Sequence, residues 1–164
     1  MKDRGVFSLV LFSGGIDSTA LIHYYIKQGF NVKGLFVNYG QIARKKELQS
    51  ANDIALHYGI ELDYVQFTTS QTFSQGEITG RNAFLVMATI ISRPDFKGIL
   101  SLGIHSGVPY YDCTESFVKD INKILEGYTD GQVVLDAPFL KWDKKMIYEY
   151  CKDNAVPVHL TYSC

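Results

Sequence analysis

The sequence predicts one α/β domain spanning residues 1–164, three layers deep (α/β/α), around a doubly wound, mostly parallel five-stranded sheet. Three observations predict it. Short apolar runs alternate with longer stretches of helical periodicity along the whole chain. At 164 residues the chain is long enough to bury a sizeable core, and no repeat, low-complexity tract or linker divides it. The first apolar run also ends in a glycine-rich turn that opens into a helix, an arrangement that aims backbone N–H groups and a positive helix end at an anion.

Each element has its own warrant. Residues 6–12 are an apolar run broken only by Ser8 and read as the first strand, followed by Ser13-Gly14-Gly15-Ile16-Asp17-Ser18 and a helix over 19–28. Residues 31–37 form a second strand, which Asn38-Tyr39-Gly40-Gln41 ends. Ile42, Leu48, Ala51, Ile54, Ala55 and Tyr58 recur at helical spacing over 42–58, and Gly59 is a natural stop. Residues 61–67 alternate polar and apolar, predicting a third strand at a sheet edge, while the Thr-, Ser- and Gln-rich 68–79 predict a mobile loop. Residues 82–92 are apolar nearly all round, which predicts a buried helix packed on the sheet. A fourth strand follows at 98–103, then a helix capped by Thr114 or Asp112 and running to about Leu125. Residues 132–135 are a short fifth strand, and Asp143 caps a last helix over 144–153.

Bulk composition narrows the function. Hydrophobic residues make up 46% and charged residues 20%, an ordinary globular balance, and a formal net charge of −1 gives no broad polyanion-binding surface for nucleic acid. The basic cluster Arg44-Lys45-Lys46 reads as a solvated helix face. No apolar run approaches the roughly 20 residues that span a bilayer. The N-terminus lacks a secretory pattern, and three widely spaced cysteines make no disulfide framework, so a cytoplasmic protein is expected.

In such sheets ligands bind beyond the carboxyl ends of the strands. The segments after strands one, two, four and five, namely 13–18, 38–41, 105–113 and 136–143, therefore line one rim. Gly14 and Gly15 let the backbone approach an anion, and Ser13, Ser18 and Thr19 can add hydroxyl donors. The turn is not a Walker A loop, since no lysine follows the second glycine.

Its pattern, SGG-x-DS, resembles the pyrophosphate loop of the PP-loop ATP pyrophosphatases. That resemblance implies an adenine nucleotide α-hydrolase-like fold and cleavage of ATP between the α- and β-phosphates. Further along, Asn38-Tyr39-Gly40-Gln41, Gly80-Arg81-Asn82, Tyr110-Tyr111-Asp112-Cys113 with Phe117, Ala137-Pro138-Phe139 with Asp143-Lys144, and Leu160-Thr161-Tyr162-Ser163-Cys164 resemble one branch, the 7-cyano-7-deazaguanine synthases of queuosine precursor synthesis. The branch implies an ATP-dependent ligase that adenylates 7-carboxy-7-deazaguanine, forms the amide with ammonia, and converts the amide to the nitrile with a second ATP. Magnesium is implied beside ATP, the partners are small molecules, and a homodimer is implied as well.

Carried onto this chain, the resemblance gives Phe12, Ser13, Gly14, Gly15, Asp17, Ser18, Thr19, Arg81 and Asn82 as nucleotide-binding residues. Asp17, Arg81, Asp112 and Lys144 are the catalytic candidates. Asp17 would hold the loop or help place magnesium. Arg81 is a guanidinium fork for phosphate or carboxylate, against a solvated helix start. Asn82 would read a base edge or cap its helix; Asp112 would ligate magnesium, accept from the deazaguanine amino group, or cap; Lys144 would neutralise transition-state charge or stay in water. Zinc is implied by the family too, but its four-thiolate site is incomplete here: the Cys-rich segment has no counterpart, and Cys113 and Cys151 lack ligand spacing to Cys164. Either this is a trimmed form or the site is lost, so no metal residues are assigned. The stretches before Gly80 and between Gly103 and Asp112 are shorter than the family's, and both flank the expected substrate pocket. Two alternatives therefore stand: a PP-loop relative that adenylates another acceptor (deazaguanine-amide transfer or tRNA modification), and a non-catalytic nucleotide-binding subunit.

Overall fold

The computed structural model describes residues 7–73 and 76–162. Its elements run β1 (Phe7–Leu11), α1 (Ile16–Lys27), β2 (Asn31–Asn38), α2 (Arg44–Tyr58), β3 (Glu61–Gln66), α3 (Arg81–Ser92), β4 (Gly98–Ser101), α4 (Glu115–Thr129), β5 (Val133–Asp136) and α5 (Lys144–Asp153). Single 3₁₀ turns lie at Tyr111–Cys113 and Val158–Leu160. The five strands form one sheet in the order β3-β2-β1-β4-β5, and every pairing is parallel. β3 is an edge, as its alternating pattern predicts.

Both faces of the sheet are covered, which is why its central strands read as mainly apolar runs. Val10 and Phe12 point into a core shared with Ile16, Ala20 and Leu21 of α1, Ala51 and Ile54 of α2, and Ile147 and Cys151 of α5. Leu9 and Leu11 point the other way, into a core with Val86 of α3 and Ile121 and Leu125 of α4. The chain winds outward from β1 through β2 to β3, then returns to β4 on the other side of β1. The strand order therefore reverses between β1 and β4, and the region beyond the strand ends there is where sheets of this kind take ligands.

Several details differ from the sequence reading. α1 begins at Ile16 rather than at residue 19, because Gly15, extended at φ −81° and ψ 170°, takes the N-cap position. Asp17, Ser18 and Thr19 are thus first-turn residues, not loop residues. α4 is capped by Thr114, whose Oγ1 accepts from Phe117 N at 3.3 Å, and it runs on to Thr129. Asp143 caps α5 as expected, accepting from Met146 N at 2.8 Å. The run 82–92 is not a fully buried helix: Asn82, Val86, Ala88 and Thr89 are buried, while Phe84 is 37% and Ile91 69% exposed. α3 lies in an outer layer and the sheet covers one side of it. Within the loop expected over 68–79, Phe73 makes a parallel bridge to Gln41 and an edge-on ring contact with Tyr39, so the loop folds back on the end of β2.

Candidate active site

The rim over the β1/β4 reversal is built around Ser13-Gly14-Gly15. Gly14 has φ +78°, a conformation L side chains avoid. A Cβ there would lie 2.5 Å from the Glu47 carbonyl oxygen and 3.0 Å from Ala51 N and Ser50 Cβ. The loop is therefore pressed onto the backbone of α2. Its far side is tied by Tyr162, whose backbone N–H donates to Gly14 O at 2.9 Å. The Gly15 carbonyl accepts from Thr19 N at 3.0 Å, Thr19 Oγ1 at 2.7 Å and Ser18 Oγ at 3.3 Å. Ser13 Oγ lies 3.4 Å from both Ser18 Oγ and Gly15 N. Phe12 and Thr19 are buried. The Phe12 ring lies in the core against Gly34 of β2, and the Thr19 hydroxyl bonds to the loop's own backbone.

Asp17 sits in the first turn of α1, against Gly103 two residues past β4: a Cβ on Gly103 would come within 3.2–3.3 Å of Asp17. Lys144 Nζ, from the first turn of α5, donates to both Asp17 carboxylate oxygens at 2.8 Å. His105 Nε2 approaches the same carboxylate at 3.8 Å, and its Nδ1 lies 2.6 Å from Ser106 O. Ser106 N and Oγ both donate to Trp142 O, at 2.8 and 2.7 Å. That link joins the segment after β4 to the segment before α5, so His105 and Lys144 flank one carboxylate. Sequence reading placed Asp17 and His105 on the rim and Lys144 in the first turn of the last helix, but gave no sign that they meet.

A second cluster lies where α3 begins. Asn82 is buried; its backbone N–H donates to Asp112 Oδ2 at 3.4 Å and its Nδ2 to Asp112 O at 3.1 Å. Asp112 thus caps the start of α3, not of α4, as the sequence reading allowed. Arg81 is exposed and close enough to Tyr39, Glu47 and Cys113 for its charge to oppose the upward shift of each group. Burial, and then the Asp112 carboxylate, push the Cys113 thiol up, the wrong direction for a nucleophile. Cys151 lies in the core, and burial pushes its thiol up to about 11.

Glu47 connects the two clusters, and sequence reading missed it. Its carbonyl abuts Gly14, and its Oε2 accepts from Gln41 Nε2 at 3.2 Å. Gln41 also donates to Val37 O at 3.1 Å and accepts from Tyr39 N at 2.9 Å, which makes the turn after β2 rigid. Burial pushes the Glu47 carboxyl above its ordinary value of 4.5, against the pull of Gln41 and Arg81. The only sequence signal was a polar residue on an otherwise apolar helix face.

Magnesium and zinc fare differently against these residues. Magnesium is usually held by one or two carboxylates together with substrate phosphates, and Asp17 supplies a carboxylate in the helix turn that follows the loop. Zinc does not fit the described residues: none of their His, Cys, Asp and Glu side chains form a group of three or more able to hold a metal. Ser163 and Cys164 lie outside the described residues. No helix among the described residues is long and apolar enough to cross a membrane.

Comparison with known proteins gives a consistent assignment. The family described as "Queuosine biosynthesis protein QueC" matches over residues 7–94 and 77–164. The 7-cyano-7-deazaguanine synthase of Prochlorococcus marinus (strain MIT 9301) is 30% identical over 196 positions, covering 100% of this chain and 85% of the relative. That of Methanosphaerula palustris is 29% identical over 190 positions, covering 96% and 84%. Both alignments are longer than the 164 residues of this chain, so these relatives carry extra residues inside the shared region. Among solved structures, NMN synthetase from Francisella tularensis superposes with a TM-score of 0.58 at 20% identity, over 96% of this chain and 65% of that one. The NH3-dependent NAD synthetase from Campylobacter jejuni gives 0.51 at 17%, over 98% and 71%. These structural likenesses establish the fold.

Proposed function

We propose, from the premise that this chain belongs to the QueC family of queuosine biosynthesis proteins, that it is an ATP-dependent C–N ligase. Its substrates would be 7-carboxy-7-deazaguanine and ammonia, and its product 7-cyano-7-deazaguanine. One observation carries the reading beyond family membership. The glycine-rich loop at the β1/β4 reversal is held on two sides, and a carboxylate–ammonium pair stands in the helix turn that follows it.

A carboxylate resists amidation because its leaving group would be oxide. Attack of the carboxylate oxygen on the α-phosphorus of ATP forms an acyl adenylate and releases pyrophosphate. Ammonia then attacks the acyl carbon, AMP leaves with the former carboxylate oxygen, and a proton is lost. In the second round the amide oxygen takes the adenylyl group and departs with it as AMP, leaving the nitrile.

Ser13, Gly14, Gly15 and Ser18 are suited to hold the β- and γ-phosphates through backbone N–H and hydroxyl groups. Asp17 would help hold magnesium, which when bound neutralises phosphate charge. Lys144, released from Asp17 as phosphate arrives, would stabilise charge on the departing pyrophosphate. Arg81 would grip the substrate carboxylate or the α-phosphate. Asp112, aligned by Asn82, would accept from the deazaguanine amino group.

The test is AMP release by the purified chain with Mg-ATP, ammonia and 7-carboxy-7-deazaguanine, each omitted in turn. AMP release that needs all of them supports the reading. Release indifferent to the acid overturns the acceptor and favours the second reading, a relative that adenylates something else. The extra residues of the relatives motivate that second reading, since a shortened pocket rim changes what fits. ATP binding without AMP release would leave a non-catalytic nucleotide-binding subunit.

A further inference from the structure

Beside the glycine-rich loop stands a cation that the proposed chemistry does not use. Lys144, the cation in direct contact with the Asp17 carboxylate, is bonded to both of its oxygens and must leave them to meet phosphate. A second cation stands close by. Lys46, in the first turn of α2, is exposed, and among the described residues no carboxylate lies within ion-pair distance of it. Its Nζ lies 5.7 Å from the centroid of the Tyr162 ring, and the Tyr162 backbone N–H is the group that ties Gly14 O. Glu47 and Ser50, whose atoms abut Gly14, lie one and four positions further along the same helix. Residues four apart share a helix face, so Lys46 is on the face that presses against the loop.

We propose that Lys46 is a phosphate-binding residue of this site. It rests on the Tyr162 ring when no nucleotide is bound and swings on its flexible four-carbon stem to the β- and γ-phosphates when ATP enters. The cluster Arg44-Lys45-Lys46 is then not uniform: Arg44 bonds its Nη1 to Gln41 O at 3.3 Å, Lys45 faces water, and Lys46 serves the ligand. The inference rests on the reading of this loop as an ATP site.

Calorimetric titration with Mg-ATP, Mg-pyrophosphate and AMP separates the two ideas. Lys46→Met is expected to weaken ATP and pyrophosphate by roughly tenfold to a hundredfold, as for loss of one charge-assisted contact, and to leave AMP unchanged. Lys46→Arg should recover most of the loss. Lys45→Met, with the same change in net charge, should stay within about twofold of the unmodified chain, since an exposed charge that makes no direct contact is largely screened. Equal binding by Lys46→Met, or an equal loss in Lys45→Met, overturns the role of Lys46 while leaving the ATP site in place. Failure of the unmodified chain to bind either phosphate ligand overturns the site reading and this inference with it. Because Lys46 is exposed, thermal unfolding of Lys46→Met should match the unmodified chain.

Discussion

Gly14→Ala isolates the contact that fixes the loop. Two costs add at this position. An alanine at φ +78° carries left-handed strain of about 1–2 kcal/mol. Its Cβ would also meet the Glu47 carbonyl oxygen at 2.5 Å and Ala51 N at 3.0 Å. Those atoms are helix backbone and cannot turn aside as a side-chain tip can, so overpacking adds about 1–3 kcal/mol. The sum is about 2–5 kcal/mol, a fall in Tm of roughly 5–15 °C for a chain of this size. Gly80→Ala is the internal control: φ is +80°, but nothing lies within 4 Å of its Cβ, so the strain alone remains. Urea unfolding of both variants should show Gly14→Ala losing at least about 1 kcal/mol more than Gly80→Ala. Equal losses would refute the claim that α2 backbone braces the loop.

Other substitutions probe separate parts of the account. Lys144→Met removes a partly exposed ion pair, so stability should change by less than about 1 kcal/mol while AMP release falls steeply; a normal rate would remove Lys144 from the site. Asp143→Ala deletes the cap on α5 and should cost about 1 kcal/mol in urea unfolding. Glu47 predicts a pH dependence. Burial holds its carboxyl above the ordinary 4.5, so the native state keeps that proton to higher pH than the unfolded chain does. Its contribution to stability is therefore full below the unfolded value and lost as pH rises through the native one, and Glu47→Gln lacks this loss. The stability of the unmodified chain relative to Glu47→Gln should decline as pH rises above the ordinary 4.5, and a rise there would contradict the burial of Glu47.

Much of this molecule was readable before any coordinates, because each local signal had one dominant cause. The runs at β1 and β2 are apolar without alternation since both faces of a parallel sheet are covered, and β3 alternates since it lies at the edge. Gly59, Thr114 and Asp143 mark helix ends through chemistry that acts within a few residues. Misreadings arose where distant neighbours decide. Gly15 starts α1 with no side-chain cap, so nothing local marked Ile16 as helical. The apolar surface of α3 indicated a buried helix, yet burial depends on how many layers cover it. The meeting of Asp17 with Lys144, 127 residues away, and of Glu47 with Gly14 depends on which strands are adjacent and in what register. Tyr25 is another such case, its hydroxyl donating to Asp136 across 111 residues.

The central claim is adenylation of a carboxylate at the glycine-rich loop, and isotope transfer tests it most directly. The purified chain would be given Mg-ATP, ammonia and 7-carboxy-7-deazaguanine labelled with oxygen-18 in its carboxylate, and every product would be weighed by mass spectrometry. The account predicts the nitrile, pyrophosphate, and AMP carrying a single labelled oxygen from each of the two activation steps. Unlabelled AMP, or ADP with labelled phosphate, would contradict it.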